Sequence, residues 1–133
     1  ARANLVIGQP NFSLRITDPT PRNMNFPVGL AFTTGGHLLV SDLAHNRVLL
    51  FLRPANGDFT NFQAANNVFG QSDFSSVVAS NAANRMFAPR GIAVDVDDRL
   101  YVADSGNNRL HIYNRVPLAG TDAAPALTIG NLN

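Results

Sequence analysis

Pro89-Arg90-Gly91-Ile92-Ala93-Val94-Asp95, and after four residues Leu100-Tyr101-Val102-Ala103-Asp104-Ser105-Gly106-Asn107-Asn108-Arg109, decide the fold because the chain has already written a looser version of them. At one constant offset, Pro27, Gly29 and Ala31 fall on Pro89, Gly91 and Ala93; Leu38, Val40 and Asp42 fall on Leu100, Val102 and Asp104; Asn46, Arg47 and Arg53 fall on Asn108, Arg109 and Arg115. The same offset carries Asn4, Val6, Gly8, Gln9 and Phe12 onto Asn66, Val68, Gly70, Gln71 and Phe74. A third copy begins where Ile129-Gly130 repeats Ile7-Gly8 and Phe69-Gly70. Self-similarity at a fixed period marks a repeat architecture. The repeats divide the chain into about 4–65 and 66–127, with a further outer segment over 126–133, all within one domain.

Each repeat predicts four short strands. The first runs over Gly29 to Phe32 and Gly91 to Val94, the second over Leu38 to Ser41 and Leu100 to Ala103, and the third over Arg47 to Leu52 and Arg109 to Tyr113. The outer segments are 4–8, 66–70 and 126–130. Turn residues separate them: Thr33 to Gly36, Asp95 to Asp98, Asp42 to Asn46 and Asp104 to Asn108. Leu38-Leu39-Val40 and Val48-Leu49-Leu50-Phe51 are continuously apolar, the pattern of a sheet buried on both faces. Stacked blades of a β-propeller meet that condition. Gly29, Ala31, Gly91 and Ala93 suit the crowded innermost strand. The fold class is all-β, a β-propeller segment of two four-stranded blades.

Composition agrees. All ten basic residues of the 133 are Arg and all nine acidic residues are Asp, with no Lys, Glu, Cys or Trp. Lys and Glu favour exposed helices, so their absence disfavours surface helix. A net charge of +1 excludes an electrostatic footprint for nucleic acid or an anionic membrane. Without Cys there is no disulfide or thiolate metal site. Abundant Asn and Thr without Lys or Cys lean toward an extracellular or periplasmic bacterial protein.

The stretches 89–95 and 100–109 closely resemble the NHL repeat. The first copy departs from it at Leu43-Ala44-His45, where the repeat prefers Ser, Gly and Asn. The resemblance covers roughly 27–51 and 89–113. It implies membership of six-bladed rings that serve as protein-binding, RNA-binding, sensor and occasionally enzymatic domains. Family members with lyase activity hold a metal through His in the channel, but no His stands on the first strands here. The period, which carries Asn4 to Asn66, is long for the family. The additional residues, 9–26 and 71–88, share Gly-Gln-x-x-Phe and predict ordered crossing loops.

Asp42, Asn46 and Arg47, with Asp104, Asn108 and Arg109, are the most visible polar set, and their recurrence favours structural turn locks over a ligand ring. Arg90, whose counterpart is Val28, is the candidate ligand-binding residue at a channel mouth, where a guanidinium can hold a carboxylate or phosphate. Asp95, Asp97 and Asp98 raise the idea of Ca²⁺, but Thr33-Thr34-Gly35-Gly36 in the other copy has no carboxylate, and an ordinary turn is favoured. His37, His45 and His111 lack zinc-ligand spacing. No Gly-x-Ser-x-Gly elbow exists, and Asn11-Phe12-Ser13 is a chance sequon by default. The sequence therefore predicts no catalytic residue, metal or cofactor, and a binding or assembly module.

Two blades leave apolar faces and strand edges open. Three completions remain: copies closing a ring, with three chains making six blades; a longer propeller; or a head-to-tail filament. A fragment of a propeller enzyme with its catalytic residues elsewhere is the alternative to a binding module, and a protein or small-molecule ligand is compatible with either.

Overall fold

The computed structural model describes residues 1–130. Two antiparallel four-stranded sheets carry the fold. The first comprises β1 (Pro27–Phe32), β2 (Leu38–Asp42), β3 (Arg47–Phe51) and β4 (Asn67–Phe69). The second comprises β5 (Pro89–Val94), β6 (Leu100–Asp104), β7 (Arg109–Tyr113) and β8 (Leu127–Gly130). In each sheet the spatial order is the chain order, the meander of a propeller blade. Registers repeat too: Asp42 pairs with Arg47 as Asp104 pairs with Arg109. Each inner strand carries an irregularity near its start, between Pro27 and Gly29 and between Pro89 and Ile92.

Three details differ from the sequence reading. Segment 4–8 forms no ladder; Gly8 makes only an isolated parallel bridge to Asn23. By the repeat it corresponds to β4 and β8, but no third strand for it to pair with stands among the described residues. The Asp42–Asn46 and Asp104–Asn108 turns contain short 3-10 turns, Leu43–His45 and Ser105–Asn107, each closed by a left-handed Asn. A further 3-10 turn, Val116–Leu118, lies in the connection to β8. Of the outer segment 126–133, residues 131–133 lie outside the described residues.

Alternation along the strands sorts the core into two layers. Leu39, Val48, Leu50 and Phe69 point from the first blade toward Leu100, Val102 and Tyr113 of the second, with Met86 and Val116 filling the seam. On the first blade's opposite face, Val40, Leu49, Phe51 and Val68 are covered by Met24 and Ala65, with Ile7, Phe59 and Phe74 packed around them. Every residue of β3 is therefore buried, whereas β7 alternates between buried and half-buried. The second blade is covered on one face only.

Candidate binding surface

Each blade has a buried ion pair at the turn between its second and third strands. The Arg47 Nε donates to Asp42 Oδ2 at 2.8 Å, and Arg109 Nε to Asp104 Oδ2 at 2.8 Å. In both, Nη2 donates to two carbonyls of the preceding crossing loop, Thr20 and Asn23 for Arg47, Ala82 and Arg85 for Arg109, whereas Nη1 of Arg47 reaches the Phe74 carbonyl of the following loop. The other carboxylate oxygen accepts the N–H of Asn25 or Phe87. His45, one of the departures from the NHL pattern, takes the place of Asn107: both bond the Asp and a crossing-loop carbonyl, Thr17 for His45 and Ser80 for Asn107. Burial pushes the Asp104 carboxyl up, but hydrogen bonds from His111, the Phe87 N–H, Asn107 and Arg109 outweigh it and hold it below its ordinary value. These charges face inward, and each is paired.

The Gly-Gln-x-x-Phe loops share a device that the sequence reading left unassigned. Gln9 accepts from the Ile16 N–H at 2.6 Å and donates to the Ile16 carbonyl at 2.8 Å. Gln71 does the same with Val78, at 2.9 Å both ways. A single amide thus stands in for a strand partner and closes the loop. The loop then delivers a methionine to the blade: a Cβ on Gly8 would lie 3.1 Å from Met24, and one on Gly70 2.7 Å from Met86. Met24 and Met86 are themselves related by the repeat offset, a match that would have identified the loops as part of the core.

Polar contacts stitch the seam between blades. Ser41 Oγ donates to the Arg90 carbonyl at 2.6 Å. Asp98 accepts from the backbone and hydroxyl of Thr34. The Asn46 side chain donates to the Val77 carbonyl and accepts the Ala88 N–H. Asn67 donates to the Ala119 carbonyl and accepts from Thr121.

The candidate ligand residue, Arg90, is exposed on β5 and contributes only its carbonyl to the seam; it is not brought together with another charged site residue. In the acidic turn, Asp95 accepts from Arg99 and from the Tyr101 hydroxyl. Its carboxyl feels a desolvation that raises it, but these donors and the Arg99 and Asp97 N–H groups lower it to about 2. With Asp98 turned to Thr34, no group of three potential metal ligands exists among the described residues. A shallow hollow of about 350 Å³ beside this turn is lined by Val96, Asp97, Asp98, Arg115, Pro117 and Leu118. His111 is fully buried and bonded to Thr128 and the Arg85 carbonyl. Asn11 of the sequon bonds the N–H groups of Ser13 and Leu14 in a local turn.

Some strand side chains on the outward faces of the pair are apolar and exposed. Leu30 and Phe32 on β1 are 65% and 55% exposed, whereas Ile92 and Val94, their counterparts, pack into the seam. Ile129 on β8 is 51% exposed, whereas Phe69, its counterpart, is fully buried.

The family comparison matches one span of this geometry, residues 88–113, from β5 through β7. That span is an NHL repeat. No curated protein matches the chain. Among solved structures, a streptogramin B lyase structure is similar at 17% identity and a TM-score of 0.42, over 68% of this chain and 24% of that one. The chain thus spans about a quarter of that protein's length. Around the NHL repeat, no helix is long and apolar enough to cross a membrane among the described residues.

Proposed function

We infer that this chain is a non-catalytic propeller module whose work is binding and assembly. One observation carries the reading: positions that pack into the internal seam, Ile92, Val94 and Phe69, are exposed at their equivalents on both outward faces, Leu30 and Phe32 at one end and Ile129 at the other. An apolar surface repeating a known seam is built to be covered. The inner strands support it, since Arg90 is the one charged side chain on β1 or β5. Six blades, the number that the family resemblance implies, would take three copies of the chain.

Sedimentation of the purified chain over a wide concentration range tests this. The expected result is a mass that rises with concentration from 14.3 kDa toward multiples of it. A mass constant at one chain up to high micromolar concentration would overturn the reading.

A further inference from the structure

Resting on the assembly reading, we propose that a second copy of this chain docks head to tail on the open face of the second blade, and that residues 4–8 must leave their seat for it to do so.

The internal seam is the template. Gly29 belongs to it because a Cβ there would lie 2.6 Å from the Arg90 carbonyl and 2.8 Å from Ser41 Oγ. Its counterpart Gly91 would meet nothing nearer than the Ala103 Cβ at 4.0 Å. The chain keeps a glycine where nothing of its own crowds it, on the face where the next blade would stand. Phe74 packs on the first blade and gives its carbonyl to Arg47, while its counterpart Phe12 is 60% exposed. The second blade has the matching vacancy. Arg109 Nη1 turns instead to the Asn81 carbonyl, within its own repeat's loop. Asn108 is exposed, whereas Asn46, its counterpart, bonds across the seam. Gly130 has the same left-handed backbone, φ 107°, as Gly8 at 94° and Gly70 at 90°, both of which a methionine covers. A following copy brings Met24 to Gly130, Phe12 to the second blade, and Leu30 and Phe32 to its inner strand. The joint is the internal seam with one missing peptide link, between Gly130 and the next copy's Gln9.

One segment stands in the way. Residues 4–8 occupy, against the first blade, the position that β4 occupies against the second. Val6 bonds Asn61 and Phe62, as Asn67 bonds Ala119 and Thr121, and Ile7 covers the first blade's face. In a head-to-tail pair, β8 of the neighbour claims that seat. It is the stronger claimant, because four residues of β8 are in register with β7, whereas 4–8 holds on by one bridge and the Val6 bonds. The segment is a cap that competes with assembly.

Sedimentation of four proteins decides this: the full chain, a form lacking residues 1–7, Ile7→Asp, and Gly91→Val. Circular dichroism checks each fold. Removing the cap or unseating it with Ile7→Asp should tighten self-association by about tenfold or more, which is ~1.4 kcal/mol or more. Gly91→Val should keep a folded monomer and lose association. If capped and uncapped forms associate equally, displacement is refuted while assembly stands. Should Gly91→Val associate like the parent, the seam is the wrong surface. If no form associates, the assembly reading falls and this one with it.

Discussion

Asp42 and Arg47 are joined at 2.8 Å with neither side chain touching solvent, and the pair recurs in the second blade as Asp104 and Arg109. A buried guanidinium that loses its counter-charge keeps its desolvation penalty and loses the compensating attraction. Here the loss is moderated by the loop carbonyls that remain bonded to it. Asp42→Ala should therefore destabilise by about 3 kcal/mol in chemical denaturation. Asp104→Ala should follow closely, since its network keeps the arginine and the loop N–H, with Asn107 in place of His45 and His111 added. Unchanged midpoints in both, with loss of a bound ligand, would turn these turn locks into ligand sites.

The pH response follows from the same carboxylate. The folded Asp104 carboxyl titrates below its ordinary value of 3.8. A depressed folded pKa contributes stability that is present above the unfolded value and lost as pH falls through the folded one. The chain should therefore lose stability below about pH 4 by the standard carboxylate scale. Asp104→Asn should be less stable at neutral pH and flatter through the acid range than the parent. Equal slopes for the two in denaturant titrations across the acid range would exclude Asp104 as the source.

Tyr113 offers a gain. Its ring packs edge-on against Phe69 at 5.0 Å, but its buried hydroxyl has no hydrogen-bond partner. Burial, with the nearby Asp104 charge adding to it, raises the pKa of that hydroxyl. Phe51 does the corresponding work in the first blade without a hydroxyl. Tyr113→Phe should keep the packing and remove an unsatisfied polar group, for a stabilisation of about 1 kcal/mol. A loss of that size would reveal a partner for the hydroxyl.

The blades were legible because their signals are local and doubled. Pro27 and Pro89 open the inner strands, continuous apolar runs mark β2 and β3, and the Asp–Arg pairs bracket each turn. The crossing loops were less so. Gln9 and Gln71 act through backbone groups of Ile16 and Val78, and hydropathy does not register an amide that replaces a strand partner. Nor could a pattern of apolar residues show that Ile7 lies on the first blade without a ladder, because an apolar segment reads as a strand whether or not a partner strand exists. Arg90 stood out by its difference from Val28, yet its seam contact runs through the carbonyl, which every residue type possesses.

Gln71 and Gln9 make an internal comparison. Both close their loop, but Gln71 is fully buried and also donates to the Asn46 carbonyl at 2.8 Å, whereas Gln9 is half-buried. Leaving buried carbonyls and N–H groups without partners costs roughly 1–3 kcal/mol. Gln71→Ala should fall in that range, and Gln9→Ala below it. Hydrogen exchange should speed at the Val78 amide in the first variant and at Ile16 in the second. A larger effect from Gln9 would mean that its loop has burial beyond that of one chain.

Gly29 and Gly91 separate what one chain needs from what an assembly needs. At Gly29 the obstruction to a side chain is a backbone carbonyl of the adjacent inner strand, which cannot rotate away, and Ser41 Oγ closes the remaining space. Gly29→Ala must push β5 from β1, breaking the Ser41–Arg90 bond and loosening the seam core to which Leu39 and Val102 belong. A loss of about 2–3 kcal/mol is expected, in the range of overpacking. At Gly91 a methyl group enters open space, and neither glycine has a left-handed backbone. Gly91→Ala should thus be neutral or stabilising in the dissociated chain, by up to about 1 kcal/mol, because alanine restricts the unfolded state. Thermal denaturation at concentrations low enough to keep the chains apart isolates this term. A large loss in Gly91→Ala under those conditions would show that the second inner strand is already crowded within the chain.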